Sequence, residues 1–151
     1  MKISARNQFD GHVQALTRGP VNTEVVVDTR EGDRLVAVVT TASVDALGLG
    51  DGTPVLAIVK APWVVLARDD AALPDGPGLA TGFSARNRLY GVVEQIEAGR
   101  VNTEVVLALP GGTQVCAVVS REAALALGLT PGMPACALIK ASHVLLARLE
   151  G

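Results

Sequence analysis

The chain repeats itself once, at a fixed offset of 80 residues, and this confines it to folds assembled from two copies of one small unit. Ser4-Ala5-Arg6-Asn7 returns as Ser84-Ala85-Arg86-Asn87. Val21-Asn22-Thr23-Glu24-Val25-Val26 returns as Val101-Asn102-Thr103-Glu104-Val105-Val106. Lys60-Ala61 returns as Lys140-Ala141, and Leu66-Ala67-Arg68 as Leu146-Ala147-Arg148. No gap interrupts the offset, and 30 of the 65 positions in 4–68 are identical to their partners in 84–148. The expected division is a first module over 1–69, a linker over 70–82 containing Pro74 and Pro77, and a second module over 83–151. Modules of this size bury a limited core, so each copy needs a partner surface.

Each copy reads as five strands and one short helix. Val-rich runs favour strands, because β-branched side chains pack well on a pleated surface. In the first copy the expected strands are 6–16, 21–29, 35–40, 55–60 and 63–68. Arg18-Gly19-Pro20 and Arg30-Glu31-Gly32-Asp33 serve as turns between them. Gly11 inside the first strand marks a bulge or a close backbone approach. Residues 41–47 read as a helix, capped by Thr41 or Ser43 and ended by Gly48. The fold class is therefore all-β with short helices: two tandem OB-like five-stranded barrels.

Composition narrows the partners. Aromatics are 3% of the chain and the net charge is -2, so the aromatic platform and basic excess of a nucleic-acid binder are missing. The longest apolar stretch, Ala61 to Ala67, falls far short of the ~20 residues of a membrane-spanning helix. The first residues, Met1 to Asn7, lack the apolar core of a signal peptide, so the expected location is cytoplasmic. Cys116 and Cys136 face Val36 and Leu56 of the first copy, which makes them small buried hydrophobes rather than a disulfide or metal site.

The repeat also filters candidate chemistry. Neither histidine is repeated: His12 faces Val92 and His143 faces Trp63. Glu24 and its partner Glu104 are the repeated carboxylates, so a copy has no acid/base pair. The expectation is that the chain is not an enzyme and uses no cofactor. The repeated or conservatively matched polar residues suit an oxyanion instead. Arg6 and Arg86 are permanently charged forks, and Lys60 and Lys140 are compact cations. Ser4, Ser84, Thr40, Ser120 and Ser43 add hydroxyl donors. Backbone N–H groups after Lys60 and at the start of the helix add more.

In this order, Ser-Ala-Arg-Asn, Val-Asn-x-Glu-Val, Ala-Val-Val-Thr-x-x-Ser and Lys-Ala resemble the Mop module of the molbindins, twice over. The resemblance implies a cytoplasmic protein that binds molybdate, and often tungstate, for storage, buffering or delivery. Its alternative is an oxyanion-sensing module acting with a regulator or transporter. The resemblance also implies a homotrimer and barrels that exchange their N-terminal strands. It assigns interface sites to Ser84 and Arg86 with Thr40, Ser43, Lys60 and Ala61, and to Ser4 and Arg6 with Ser120, Ala123, Lys140 and Ala141. A weaker candidate on the trimer axis comprises Gly19, Val21, Asn22, Gly99, Val101 and Asn102. Ala123 in place of Ser43 removes one hydroxyl, so the Ser43-containing site is expected to be the tighter.

Overall fold

The computed structural model describes residues 2–68 and 83–150; the expected linker 70–82 lies outside them. Alternation at period two sets the strands. In β2 (Asn22–Thr29), Thr23, Val25, Val27 and Thr29 are buried, and their neighbours are half-buried or exposed. In β3 (Arg34–Thr40), Leu35 and Ala37 point inward. β1 (Asn7–Arg18) is long enough to pair with β2 along one part and with β4 (Pro54–Val59) along another. A bulge falls between Val13 and Ala15. Gly11 is a close approach, because a Cβ there would sit 2.3 Å from the Asp28 carbonyl oxygen. β4 is an apolar run buried from Val55 to Val59.

Helix α1 (Thr41–Leu47) follows β3 directly. Its cap is Thr40 rather than the expected Thr41 or Ser43: the Thr40 hydroxyl accepts from the Ser43 N–H at 3.1 Å. Thr41 instead faces inward, sharing a hydrogen bond with buried Thr23 at 2.8 Å and donating to the Gly19 carbonyl at 2.7 Å. Gly48 ends the helix in the left-handed conformation, as its position suggested. After β4 comes a 3-10 turn, Ala61–Trp63, and then β5 (Val65–Ala67), so the fifth expected strand is shorter and begins later. The second copy repeats the plan with β6 (Asn87–Ala98), β7 (Asn102–Ala108), β8 (Gln114–Ser120), α2 (Arg121–Leu127), β9 (Pro134–Ile139), a 3-10 turn Ala141–His143 and β10 (Leu145–Arg148).

The strand order is β10-β4-β1-β2-β3 in one sheet and β5-β9-β6-β7-β8 in the other. Each sheet therefore takes its fifth strand from the other copy. The exchange expected for the N-terminal strands is corrected here: β1 pairs with β2 and β4 of its own copy, and the C-terminal strands cross. The physical reason lies in the tethers. β1 is held to β2 by a tight turn in which the Gly19 N–H donates to the Asn22 carbonyl at 2.9 Å. The last strand leaves β4 through Lys60 in extended backbone (φ -70, ψ 136) and is free to join another sheet. The chain divides accordingly. Unit 1 holds the residues up to Val59 and those from Lys140 on; unit 2 runs from Lys60 to Ile139.

The exchanged strand also caps a helix. In unit 1 the Arg148 guanidinium donates to the Leu47 and Gly48 carbonyls at 2.9 and 3.0 Å. In unit 2 Arg68 donates to the Leu127 carbonyl at 2.8 Å. These are the carbonyls a helix end leaves without a partner, and the cation also opposes the negative end of the helix. This accounts for the repetition of Arg68 as Arg148. Arg148→Ala is expected to destabilise unit 1 by about 1 kcal/mol, and Arg68→Ala to do the same for unit 2. Hydrogen exchange resolved by unit would check this, and a loss in the wrong unit would contradict the exchanged capping.

Candidate functional site

Each unit gathers part of the expected ligand set at one end of its sheet. In unit 1, β3 ends on Thr40, and the 3-10 turn after Lys140 packs against β3. Ala141 is buried at this turn, while Lys140 is exposed. Thr40, Ser43, Lys140 and Ala141 thus belong to one unit. In unit 2 the turn after Lys60 packs against β8, which ends on Ser120. Ser120, Ala123, Lys60 and Ala61 belong to that unit. Within a single unit, Thr40 and Ser43 therefore share their sheet with the turn after Lys140, and Lys60 and Ala61 share theirs with Ser120 and Ala123. The reason is the strand exchange, which carries each Lys-Ala turn onto the other copy's third strand.

The hydroxyl geometry qualifies the expected advantage of Ser43. Thr40 Oγ1 and Ser43 Oγ lie 2.7 Å apart, so one of their two protons is spent between them. One proton is left to face outward. In unit 2 the Ser120 hydroxyl accepts from the Ala123 N–H at 3.1 Å and keeps its own proton to donate. Each unit thus offers one outward hydroxyl proton from its cap. Whichever of Thr40 and Ser43 donates to the other, Ser43 does not add a second unspent proton.

The Lys turns differ more than the repeated residues suggested. The first amides of a helical turn have no partner within it. Ala61 supplies one, and Pro62 supplies none because it lacks an N–H. In the second copy Ala141 and Ser142 each have an N–H, and exposed Ser142 adds a hydroxyl. Sequence reasoning missed Ser142 because a filter built on identity between copies discards a Pro/Ser pair.

Ser4 and Arg6 are exposed and lie just before β1 in unit 1; Ser84 and Arg86 are exposed and lie just before β6 in unit 2. Asn7 and Asn87, next in sequence, are buried and open their strands opposite Val59 and Ile139. That burial gives the repeated Asn a structural role and fixes where each arginine leaves the sheet. At the axial candidate, the Gly19 and Gly99 amides donate to the Asn22 and Asn102 carbonyls at 2.9 Å. The Val21 and Val101 carbonyls accept from Thr41 and Arg121. Those backbone groups are occupied, while the Asn22, Asn102 and Arg100 side chains of those turns are exposed.

Among the described residues no group of three or more His, Cys, Asp or Glu could hold a metal ion, and no helix is long and apolar enough to cross a membrane. Both cysteines are buried, and burial pushes the Cys136 thiol up to about 11, which keeps it protonated and inert at neutral pH.

Comparison with known proteins agrees with the geometry. A family model described as the TOBE domain matches residues 3–66 and again 84–146. The molybdenum transport protein ModE of Azotobacter vinelandii is 44% identical over 97% of this chain and 51% of its own length. The molybdenum-pterin-binding protein MopA of Rhodobacter capsulatus is 43% identical over 97% of this chain and 52% of its own. The chain thus spans about half the length of the curated relatives it matches. A crystal structure of the cytoplasmic molybdate-binding protein ModG, with molybdate bound, superimposes with a TM-score of 0.89 at 50% identity, covering 99% of this chain and 100% of that one. The duplicated match and the shared architecture show that the chain belongs to the TOBE-domain family and carries the domain twice.

Proposed function

We propose that this chain is a cytoplasmic molybdate-binding protein that stores, buffers or delivers the ion. The observation that carries the reading is the full-length likeness, at 50% identity, to a protein whose structure holds molybdate. The donor chemistry agrees with it. In each unit a cap hydroxyl, a lysine turn that begins with an alanine amide and a preceding Ser-x-Arg segment suit a tetrahedral dianion. Tungstate, of the same charge and shape, belongs to the same proposal. So do the absence of catalysis and a homotrimer as the assembled form.

Calorimetry with molybdate, tungstate and sulfate tests it. Molybdate and tungstate are expected to bind in two classes whose affinities differ by less than about tenfold, which corresponds to ~1.4 kcal/mol. The class containing Thr40, Ser43 and Ser142 is expected to be the tighter. Sulfate is smaller and would leave donors under-coordinated, at a desolvation cost, so it is expected to bind more weakly. No heat with molybdate would remove the reading. Sedimentation equilibrium checks the trimer.

A second reading is favoured by the half-length match to ModE: an oxyanion-sensing module that acts with a regulator or transporter. Molybdate-dependent co-purification with such a partner would distinguish it from simple storage.

A further inference from the structure

We propose that Trp63 is a positioning residue for oxyanion binding in unit 2: its indole face holds the Lys60 ammonium in place, and His143 leaves Lys140 without the same brace. This rests on the oxyanion-binding reading. Lys60 opens the 3-10 turn, and the Trp63 N–H closes it by donating to the Lys60 carbonyl at 3.0 Å. The same turn brings the side chains together, with Lys60 Nζ 5.7 Å from the centre of the Trp63 ring. That is within cation–π range. Trp63 is 37% exposed, so its ring is only partly committed to packing. The second copy has the same turn, with the His143 N–H donating to the Lys140 carbonyl at 2.9 Å. Its ring position holds the smaller imidazole.

The brace matters because lysine is flexible. An ammonium on a four-carbon stem loses rotamer freedom when it grips an anion, and this opposes binding. An ammonium already resting on an aromatic face has lost part of that freedom beforehand. The ring does not neutralise the charge, so the anion meets a localised cation. The unit 2 class has fewer neutral donors, with Pro62 where the other has Ser142. Trp63 thus strengthens the class with fewer neutral donors and brings the two classes closer together.

The test is molybdate calorimetry on the full chain in a Lys140→Ala background, which isolates the Lys60 class. Trp63→Leu keeps apolar bulk and removes the aromatic face; Trp63→Tyr keeps a face. The leucine variant is expected to bind about two- to fivefold more weakly, the range a partly exposed cation–π contact supports. The tyrosine variant is expected to stay within about twofold of the parent. In a Lys60→Ala background, Trp63→Leu is expected to change nothing. Equal behaviour of the leucine and tyrosine variants, or an equal loss in the Lys60→Ala background, would overturn the brace while leaving the binding reading intact. Absence of molybdate heat in the unmodified chain would instead overturn the reading on which it rests.

Discussion

A fragment from Lys60 to Ile139 is expected to fold by itself as a monomer, although it begins and ends at matching points inside the two copies. It contains β5 through β9, every strand of one sheet, together with α2 and the Arg68 contact that closes it. A fragment cut at the repeat boundary, residues 1–68, has five strands in sequence. Its β5, however, is the strand that pairs with β9 of the other copy, and its β4 is left without β10. An open edge beside the buried residues of β4 is both unstable and adhesive. A domain of this size has only a few kcal/mol of stability, about 0.05–0.15 kcal/mol per residue, so one missing strand is enough to unfold it. The 1–68 fragment is therefore expected to fold only as a dimer in which two chains trade fifth strands. Sedimentation and urea titration of both fragments check this. A monomeric, cooperatively folding 1–68 beside an unfolded 60–139 would show that the exchange does not define the stable unit.

The second large effect concerns the arginines. Arg6→Ala with Arg86→Ala is expected to weaken molybdate binding by about 10- to 150-fold, and the fold is expected to survive. The range corresponds to ~1.5–3 kcal/mol for one charge-assisted contact per site. Survival follows because both side chains are exposed, while the adjoining Asn7 and Asn87 hold the strand ends. Arg→Lys replacements at the same positions should restore only part of the affinity, because a point charge does not reproduce a planar fork. Calorimetry read beside a thermal melt separates the two effects. Full molybdate affinity in the double alanine variant would remove both arginines from the site.

The two units differ in ways that the repeat by itself hides. Ser142 enriches unit 1 in neutral donors, whereas Trp63 stands beside Lys60 in unit 2. Read along the sequence, Ser43 and Trp63 lie in one copy and would reinforce each other. The exchanged strands place them in different units, and on the proposed reading their effects are expected to fall on different classes of site. The same crossing turns Arg68 and Arg148 from unexplained repeated cations into caps on the other copy's helix.

The sequence alone determined the duplication, the strand-and-helix plan of each copy, and the residue types suited to an oxyanion. These are local matters: side chains alternate at period two in Val-rich runs, Gly48 permits a left-handed helix end, and a repeated Ser-x-Arg or Lys-Ala keeps its chemistry wherever it lies. Which strand crosses was decided only by the tertiary structure. Both copies carry a similarly apolar β4 and closely matched fifth strands, so either pairing satisfies a similar pattern of buried and exposed residues. The choice depends on how each strand is tethered, tightly at Gly19 for β1 and through an extended Lys60 for β5. Strand order, and with it the set of residues that share a unit, is a property of long-range pairing that a local pattern leaves open.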